Sequence, residues 1–138
     1  MGAVLRVQNW PSILFAKIED AKKTPFQWGV FDCALFTADC VFAITGNDPA
    51  RNYRNRYKTQ RGAMGIIKRE GFDSLAEMMD TWYDTPVTKH FLRRGDVGMF
   101  DGGNGPTVGI CTGAHVVAPS ENGLVSVPVS LCFKGWSI

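Results

Sequence analysis

The sequence predicts an α+β domain in which N-terminal helices, one of them central and buried, pack on a C-terminal antiparallel sheet. Before Arg93, apolar residues recur mainly at helical spacing. After Arg93 the pattern changes to short β-rich runs separated by Gly, Pro, Asn and Ser. Helices first and strands later are typical of an α+β fold, not of alternating β-α units.

The first helix is predicted to begin after Asn9, whose side chain can cap it, and to end before Thr24-Pro25. Pro11 suits the first turn, because a missing N–H costs nothing there. Apolar residues alternate with charged ones at helical spacing. The pattern indicates a surface helix with one buried stripe, formed by Trp10, Leu14, Phe15, Ile18 and Ala21.

The second helix is predicted to run from about Cys33 to Thr45. Asp32 is a good N-cap, because its carboxylate can accept a hydrogen bond from an N–H of the first turn. Gly46 can adopt the left-handed conformation that ends a helix. The helix is apolar almost all round, which is expected of a helix at the centre of a domain.

A third helix is predicted from Thr59 to Glu70, ending at Gly71. A fourth begins near Asp73 or Ser74, with Glu77 placed to complete a capping box. The strands are predicted as an antiparallel meander of five runs, Val97 to Asp101, Val108 to Thr112, His115 to Ala118, Leu124 to Val127 and Val129 to Phe133. Arg94-Gly95-Asp96 is predicted as the turn into the first strand, with an Asx-type hydrogen bond from Asp96. The glycine-rich segment from Asp101 to Pro106 is predicted as a hairpin loop.

Length and composition favour a single domain over residues 1–138. The chain is 45% hydrophobic and 20% charged, and no Pro-, Gly- or Ser-rich linker divides it. The longest apolar stretch, Ala34 to Ile44, is too short and too polar to cross a bilayer, and Met1 to Val7 lacks the pattern of a signal peptide. We therefore expect no membrane span and synthesis in a cytoplasm.

The four cysteines have no spacing that favours a metal site or a disulfide scaffold. They stand singly, with no Cys-x-x-Cys pair and no paired histidines, at Cys33, Cys40, Cys111 and Cys132. We expect reduced thiols, no metal site and no cofactor.

A basic segment from Arg51 to Arg69 stands out against a net charge of only +2. It contains no acidic residue. Such a run is most often a solvated face. The alternative is a phosphate-binding surface on which Tyr53 and Tyr57 stack on bases. Nucleic acid is not the partner that we expect.

Cys33 is the candidate nucleophile, because it falls at the first position of the buried helix. The helix dipole there favours a thiolate and lowers the thiol pKa. Burial raises it, and apolar neighbours are supplied by Phe26, Trp28, Phe31 and Leu35. The sequence does not rank the two effects. Cys33 as a small core residue therefore remains the alternative to Cys33 as a nucleophile.

Three blocks of the sequence resemble the NlpC family of papain-like cell-wall peptidases, in the same order. The blocks are Phe26-x-Trp28-Gly29-x-x-Asp32-Cys33-Ala34-Leu35, Arg94-Gly95-Asp96-Val97-x-Met99-Phe100 and Thr107-Val108-Gly109-Ile110-Cys111-Thr112-Gly113. Nearly the whole chain is also similar to small NlpC-like phage and prophage proteins. The shared segments are Asn9-Trp10, Asp32-Cys33-Ala34-Leu35-Phe36, Thr45-Gly46-Asn47-Asp48-Pro49, Gly71-Phe72, Gly123-Leu124-Val125 and Trp136. Proteins of this kind are encoded among tail genes. The resemblance implies a papain-like fold of the NlpC type and a tail-associated role.

The catalytic pattern of that family is incomplete in this sequence. The family's chemistry needs a thiolate, a histidine beside it and a polar residue that orients the histidine. Cys33 matches the nucleophile, but Thr107 stands at the histidine position and Val117 at the orienting position. His115 is the remaining candidate base, on the same strand face as Val117 but about 6 to 7 Å further along. His90 is expected to be exposed to solvent.

The resemblance and the missing residues together predict a degenerate, inactive NlpC-like domain that is a structural or assembly component of a phage tail. We expect it in the virion, at the tail tip, in contact with other tail proteins. The alternative is an active cysteine peptidase that cleaves peptidoglycan peptides during phage entry, with Cys33 as nucleophile and His115 as base.

Overall fold

The computed structural model describes residues 5–138 and confirms the α+β class. Within this range the helices are α1 (Trp10–Ala21), α2 (Cys33–Thr45), α3 (Gln60–Arg69) and α4 (Leu75–Trp82). The strands are β1 (Pro86–Val87), β2 (Val97–Asp101), β3 (Pro106–Cys111), β4 (His115–Ser120), β5 (Gly123–Pro128) and β6 (Lys134–Trp136). Two 3-10 turns, Lys89–Phe91 and Val129–Leu131, precede β2 and β6. The start of the segment tested for a signal peptide, residues 1–4, lies outside the described residues.

The strands form one antiparallel sheet in the order β1-β6-β2-β3-β4-β5. Its four strands from β2 to β5 are the predicted meander. The predicted strand from Val129 to Phe133 is wrong, because this segment forms a 3-10 turn and then leads into β6. Leu131 and Phe133 are more than half exposed, so the apolar run does not lie in a buried strand. Sequence analysis missed β1 and β6.

Helix α2 is the central helix, as predicted, and it packs on β3 and β4. The sheet face toward the helices carries buried side chains from four strands, namely Val97 and Met99 of β2, Val108 and Ile110 of β3, Val117 of β4 and Trp136 of β6. The other face has a smaller cluster of Leu92, Phe100, Cys111, Val116, Ala118 and Cys132. The sheet is therefore covered on both faces. The N-terminus of α2 lies against β3, where Cys33 is near Val108.

The helix bounds agree with the prediction, but some details of burial and capping do not. Phe15 is 66% exposed, because it lies about 100° around α1 from the buried Leu14. Asn9 is the N-cap residue of α1, but its side chain makes no capping hydrogen bond. Phe42 is 52% exposed, so α2 is not buried all round. In α4 the Ser74 hydroxyl accepts from the Glu77 N–H at 3.2 Å, which is one half of a capping box.

The turn from Arg94 to Asp96 is present as predicted, with Gly95 in the left-handed region (φ 91°). Asp96 does not make the predicted Asx-type bond. Its buried carboxylate instead accepts hydrogen bonds from Arg6 Nη2 at 2.9 Å, the Ile138 N–H at 3.0 Å and the Arg93 N–H at 2.9 Å. Asp96 therefore holds residues from both ends of the described chain against the start of β2.

Among residues 5–138, no helix combines the length and the apolar character that a bilayer-spanning segment needs.

Candidate active-site region at the head of helix α2

Asp32 caps α2 as predicted and also holds two other segments in place. One carboxylate oxygen accepts a hydrogen bond from the Leu35 N–H at 3.0 Å. The other oxygen accepts from the Gly29 N–H at 3.0 Å and from the Tyr57 hydroxyl. Asp32 is 1% exposed, so these three donors replace its water. The carboxylate thus joins the turn before α2, the first turn of α2 and the loop before α3.

Gly29 makes the second connection between the turn and that loop. It has φ 81°, and its carbonyl accepts a hydrogen bond from the Asn55 N–H at 2.8 Å. A Cβ atom at position 29 would collide with the carbonyl group of Tyr57. Burial and the adjacent Asp32 raise the pKa of the Tyr57 hydroxyl. This hydroxyl therefore stays protonated and donates a hydrogen bond to the carboxylate. The glycine and the aspartate of the motif therefore dock residues 55–57.

Cys33 is a half-buried residue at the first position of α2, and its thiol is the buried part of it. Burial raises the pKa of this thiol to about 11, a backbone hydrogen bond from Val108 opposes the rise, and the charge of Asp32 adds to it. Of the two opposing effects expected from the sequence, burial therefore exceeds the effect of the helix N-terminus. At neutral pH the group is a thiol and not a thiolate nucleophile.

The structure does not bring His115 to Cys33. The Cys33 sulfur lies near the backbone of Val108. Continuing the pairing of Ile110 with Val117 puts Val108 level with Pro119. His115 lies four residues away along β4, which is about 13 Å at the rise of a β-strand. His115 is exposed, as is the other candidate, His90.

Thr107 and Val117, which the sequence resemblance places at the base and orienting positions of the NlpC peptidases, also lack catalytic contacts. Thr107 alternates with the inward-facing Val108, and its hydroxyl donates to the Gly105 carbonyl at 3.3 Å. Val117 is 8% exposed and packs in the main core. The predicted site residues therefore occupy separate places along β3 and β4 and do not form a catalytic group with Cys33.

A cavity of about 290 Å³ lies beside Cys33. Its wall is mostly aromatic and aliphatic, with contributions from Trp28, Tyr53, Tyr57, Met64, Ile67, Leu75, Met78 and Trp82. At the rim, Gln60 Nε2 donates to the Asn104 carbonyl at 3.2 Å, which links the start of α3 to the loop between β2 and β3. This cavity is large enough for one large apolar side chain or for a small apolar molecule.

Sequence reasoning missed the contribution of the loop before α3 and of α4 to this cavity. Tyr57 and Trp82 are distant from Cys33 in the sequence, and no local pattern links them to it. Their shared signal is only that they are aromatic residues in polar surroundings. No group of three or more His, Cys, Asp or Glu side chains within the described part of the chain is placed to hold a metal ion.

The basic segment from Arg51 to Arg69 is partly used within the fold. Arg54 binds Asp39 at 2.8 Å and Asp48 at 3.0 Å. The Tyr53 hydroxyl donates to Glu70 at 3.0 Å, and the Tyr57 hydroxyl donates to Asp32. Both tyrosines therefore have contacts inside the domain, which weakens the alternative in which they stack on bases. The other basic side chains of the segment are exposed, as expected of a solvated face.

Alkylation of Cys33 by iodoacetamide is expected to be slow at pH 7 and to rise about tenfold per pH unit until the pH approaches 11. The reason is that only the thiolate reacts, and burial raises the pKa of this thiol to about 11. The rate is measured by mass spectrometry of the Cys33 peptide from pH 6 to 11. Cys33→Ala is the control, because any alkylation of this variant comes from the three buried cysteines. A rate that levels off below pH 8 would contradict the raised pKa.

A family model described as "Domain of unknown function (DUF6950)" matches residues 5–138, which include every residue of the region around Cys33. No curated protein matches the chain.

Proposed function

The chain belongs to DUF6950, a family of domains of unknown function, and we propose that it is an inactive NlpC-like domain that serves as a structural or assembly component of a phage tail tip. The observation that carries the inactive state is the Cys33 thiol. Burial raises its pKa to about 11, and the candidate base His115 lies about 13 Å further along β4 than the position level with Val108. A papain-type hydrolase needs a base within about 3.2 Å of the proton that it removes.

The order and placement of the elements support a papain-like arrangement. A cysteine at the N-terminus of a central helix lies against the start of a strand in an antiparallel sheet. The strand that would carry the base of the peptidase family, β3, is the one beside Cys33. The assignment to a phage tail rests on the sequence resemblance to tail-encoded proteins. In that role, Asp32 and Cys33 act as capping and packing residues of α2.

The alternative is a cysteine peptidase acting on peptidoglycan, and the cavity beside Cys33 is the observation in its favour. This alternative requires His115 to become the base. Because His115 is about 13 Å further along β4, a side-chain rotation does not bring it to the sulfur. A change in the pairing of β3 and β4 would be needed, and their buried residues Ile110 and Val117 hold the present register.

Hydrolysis of peptidoglycan separates the two functions. Purified wild-type protein and Cys33→Ala are incubated with peptidoglycan, and new amino termini are measured. We expect the two proteins to give the same background. New amino termini that the wild type releases and Cys33→Ala does not would overturn the inactive state and establish the peptidase.

The tail role is tested in the phage or prophage that encodes the chain. We expect mass spectrometry to find the chain in purified tails, or in tail assembly intermediates. We also expect the Cys33→Ala phage to form plaques as the wild type does, because a truncation of this size costs only about 1 kcal/mol. Loss of the gene is expected to stop tail assembly. Normal tails without the gene would contradict the proposal.

A further inference from the structure

Strand β5 is an edge of the sheet whose central residues lack the usual protection against pairing with another strand. The strand order places β1 at one edge and β5 at the other. Edge β1 is two residues long and contains Pro86. Edge β5 is six residues long, Gly123–Pro128, and has no charged residue. Because natural edges are usually short, charged or covered, the two edges of this sheet differ in their capacity to add a strand.

The hairpin between β4 and β5 fixes which backbone groups of β5 point outward. The two-residue turn Glu121–Asn122 makes Ser120 and Gly123 the closing hydrogen-bonded pair. Val125 and Val127 then bond to β4, and the bond from the Val129 N–H to the Ala114 carbonyl (2.9 Å) continues this alternation. The N–H and C=O groups of Leu124 and Ser126 therefore lie in the plane of the sheet and point to the open side of β5, away from β4.

The side chains on the helix-facing side of β5 leave space beside this edge. Ser126 is small and exposed, and it pairs with the inward-facing Val117. A hollow of about 540 Å³ lies there, lined by Ile18, Lys22, Val117, Leu124, Val125 and Ser126. Lys22 is the one charged residue in the wall, and its ion pair with Glu19 at 2.6 Å offsets that charge. The hollow can take an apolar side chain that arrives opposite Ser126.

We propose that β5 pairs antiparallel with β5 of a second copy of this chain, with Val125 opposite Val125. A two-fold axis perpendicular to the sheet then sets Leu124 of each copy opposite Ser126 of the other. These are the residues with outward backbone groups, so four main-chain hydrogen bonds form. Residues that face each other across an antiparallel pair share a face, so Leu124 of each copy enters the hollow beside Ser126 of the other.

The symmetry is what identifies a second copy as the partner. The Leu124 that fills the hollow and the Ser126 that leaves it open lie on the same strand, two residues apart. Pro128 lacks an N–H and limits the pairing to the centre of the strand. The contact is smaller than a standard interface, so we expect a weak dimer that forms at high protein concentration. This proposal goes beyond the tail role and does not involve Cys33.

Sedimentation velocity over a concentration series, together with amide hydrogen exchange by NMR, tests this pairing. We expect a dimer at millimolar concentration. When nine tenths of the protein is dimeric, exchange of the Leu124 and Ser126 amides should slow by about tenfold, because these N–H groups become hydrogen-bonded. The Val125 and Val127 amides, which bond to β4, should be protected at every concentration. A monomer at all concentrations, or a dimer in which the Leu124 and Ser126 amides stay unprotected, would overturn the proposal.

Ser126→Pro and Ser126→Thr form the matched pair of variants. Proline removes the outward N–H, which makes no bond to β4, so we expect a folded monomer. Threonine keeps the N–H and favours a strand, so we expect it to dimerise. Circular dichroism checks the fold of both variants. If Ser126→Pro is unfolded, Leu124→Lys replaces it, because a charge on the edge opposes pairing. Dimerisation of the folded proline or lysine variant would contradict pairing through this edge.

Discussion

Replacing Asp32 with alanine is expected to lower the free energy of unfolding by about 4 kcal/mol. The substitution removes a helix cap, worth about 1 kcal/mol, and leaves the buried Gly29 N–H and the half-buried Tyr57 hydroxyl without their partner, at about 1 to 3 kcal/mol each, the lower end applying to Tyr57. Urea unfolding followed by circular dichroism measures the change.

Ser74→Ala is the matched control, because Ser74 caps α4 with a single hydrogen bond at a partly exposed helix end. Its expected cost is about 1 kcal/mol, the usual value of an N-cap. Equal losses for the two variants would mean that Asp32 acts only as a cap and that its bonds to Gly29 and Tyr57 add nothing.

Local sequence was sufficient to predict the features that depend on neighbouring residues. The cap by Asp32 and the left-handed Gly46 are set within one or two turns of a helix, and both are present. The predicted hairpin segment from Asp101 to Pro106 is present, with residues 102–105 as the loop between the paired ends of β2 and β3. In each case the hydrogen bond or backbone conformation is decided by the residue itself and a few neighbours.

Features that depend on distant residues were not predicted. Tyr57 reaches Asp32 across 25 positions of sequence, and nothing in either residue indicates the other. The return of β6 to β2 depends on the burial of Trp136, whose indole N–H donates to Asp80 at 3.0 Å. The pKa of Cys33 was undecided, because it depends on how far tertiary packing buries the thiol.

The motif around Cys33 has a structural use that does not require catalysis. The turn before α2 and the start of α2 present a left-handed glycine and a buried carboxylate. Both contact the loop that contains Asn55 and Tyr57, and this loop leads into α3 at the cavity. Gly29 and Asp32 therefore hold this part of the fold together, whether or not Cys33 takes part in a reaction.

Gly29→Ala is the direct test of this structural use, and it is expected to cost at least about 3 kcal/mol. A left-handed backbone costs an alanine about 1 to 2 kcal/mol. The added Cβ would in addition collide with the Tyr57 carbonyl, so the loop must move and its bonds to Gly29 and Asp32 weaken. The change is measured by urea unfolding, and hydrogen exchange of the Asn55 amide reports the loop directly.

Gly46→Ala separates the two causes, because Gly46 has nearly the same backbone conformation (φ 82°) but open space where its Cβ would lie. It should lose only the cost of the left-handed backbone, about 1 to 2 kcal/mol, and leave the exchange of the Asn55 amide unchanged. Both alanine variants could instead lose the same free energy of unfolding and show the same exchange rate of the Asn55 amide. The contact between the turn at Gly29 and Tyr57 would then not hold the loop of residues 55–57 in place. The glycine would then be needed for its backbone conformation alone.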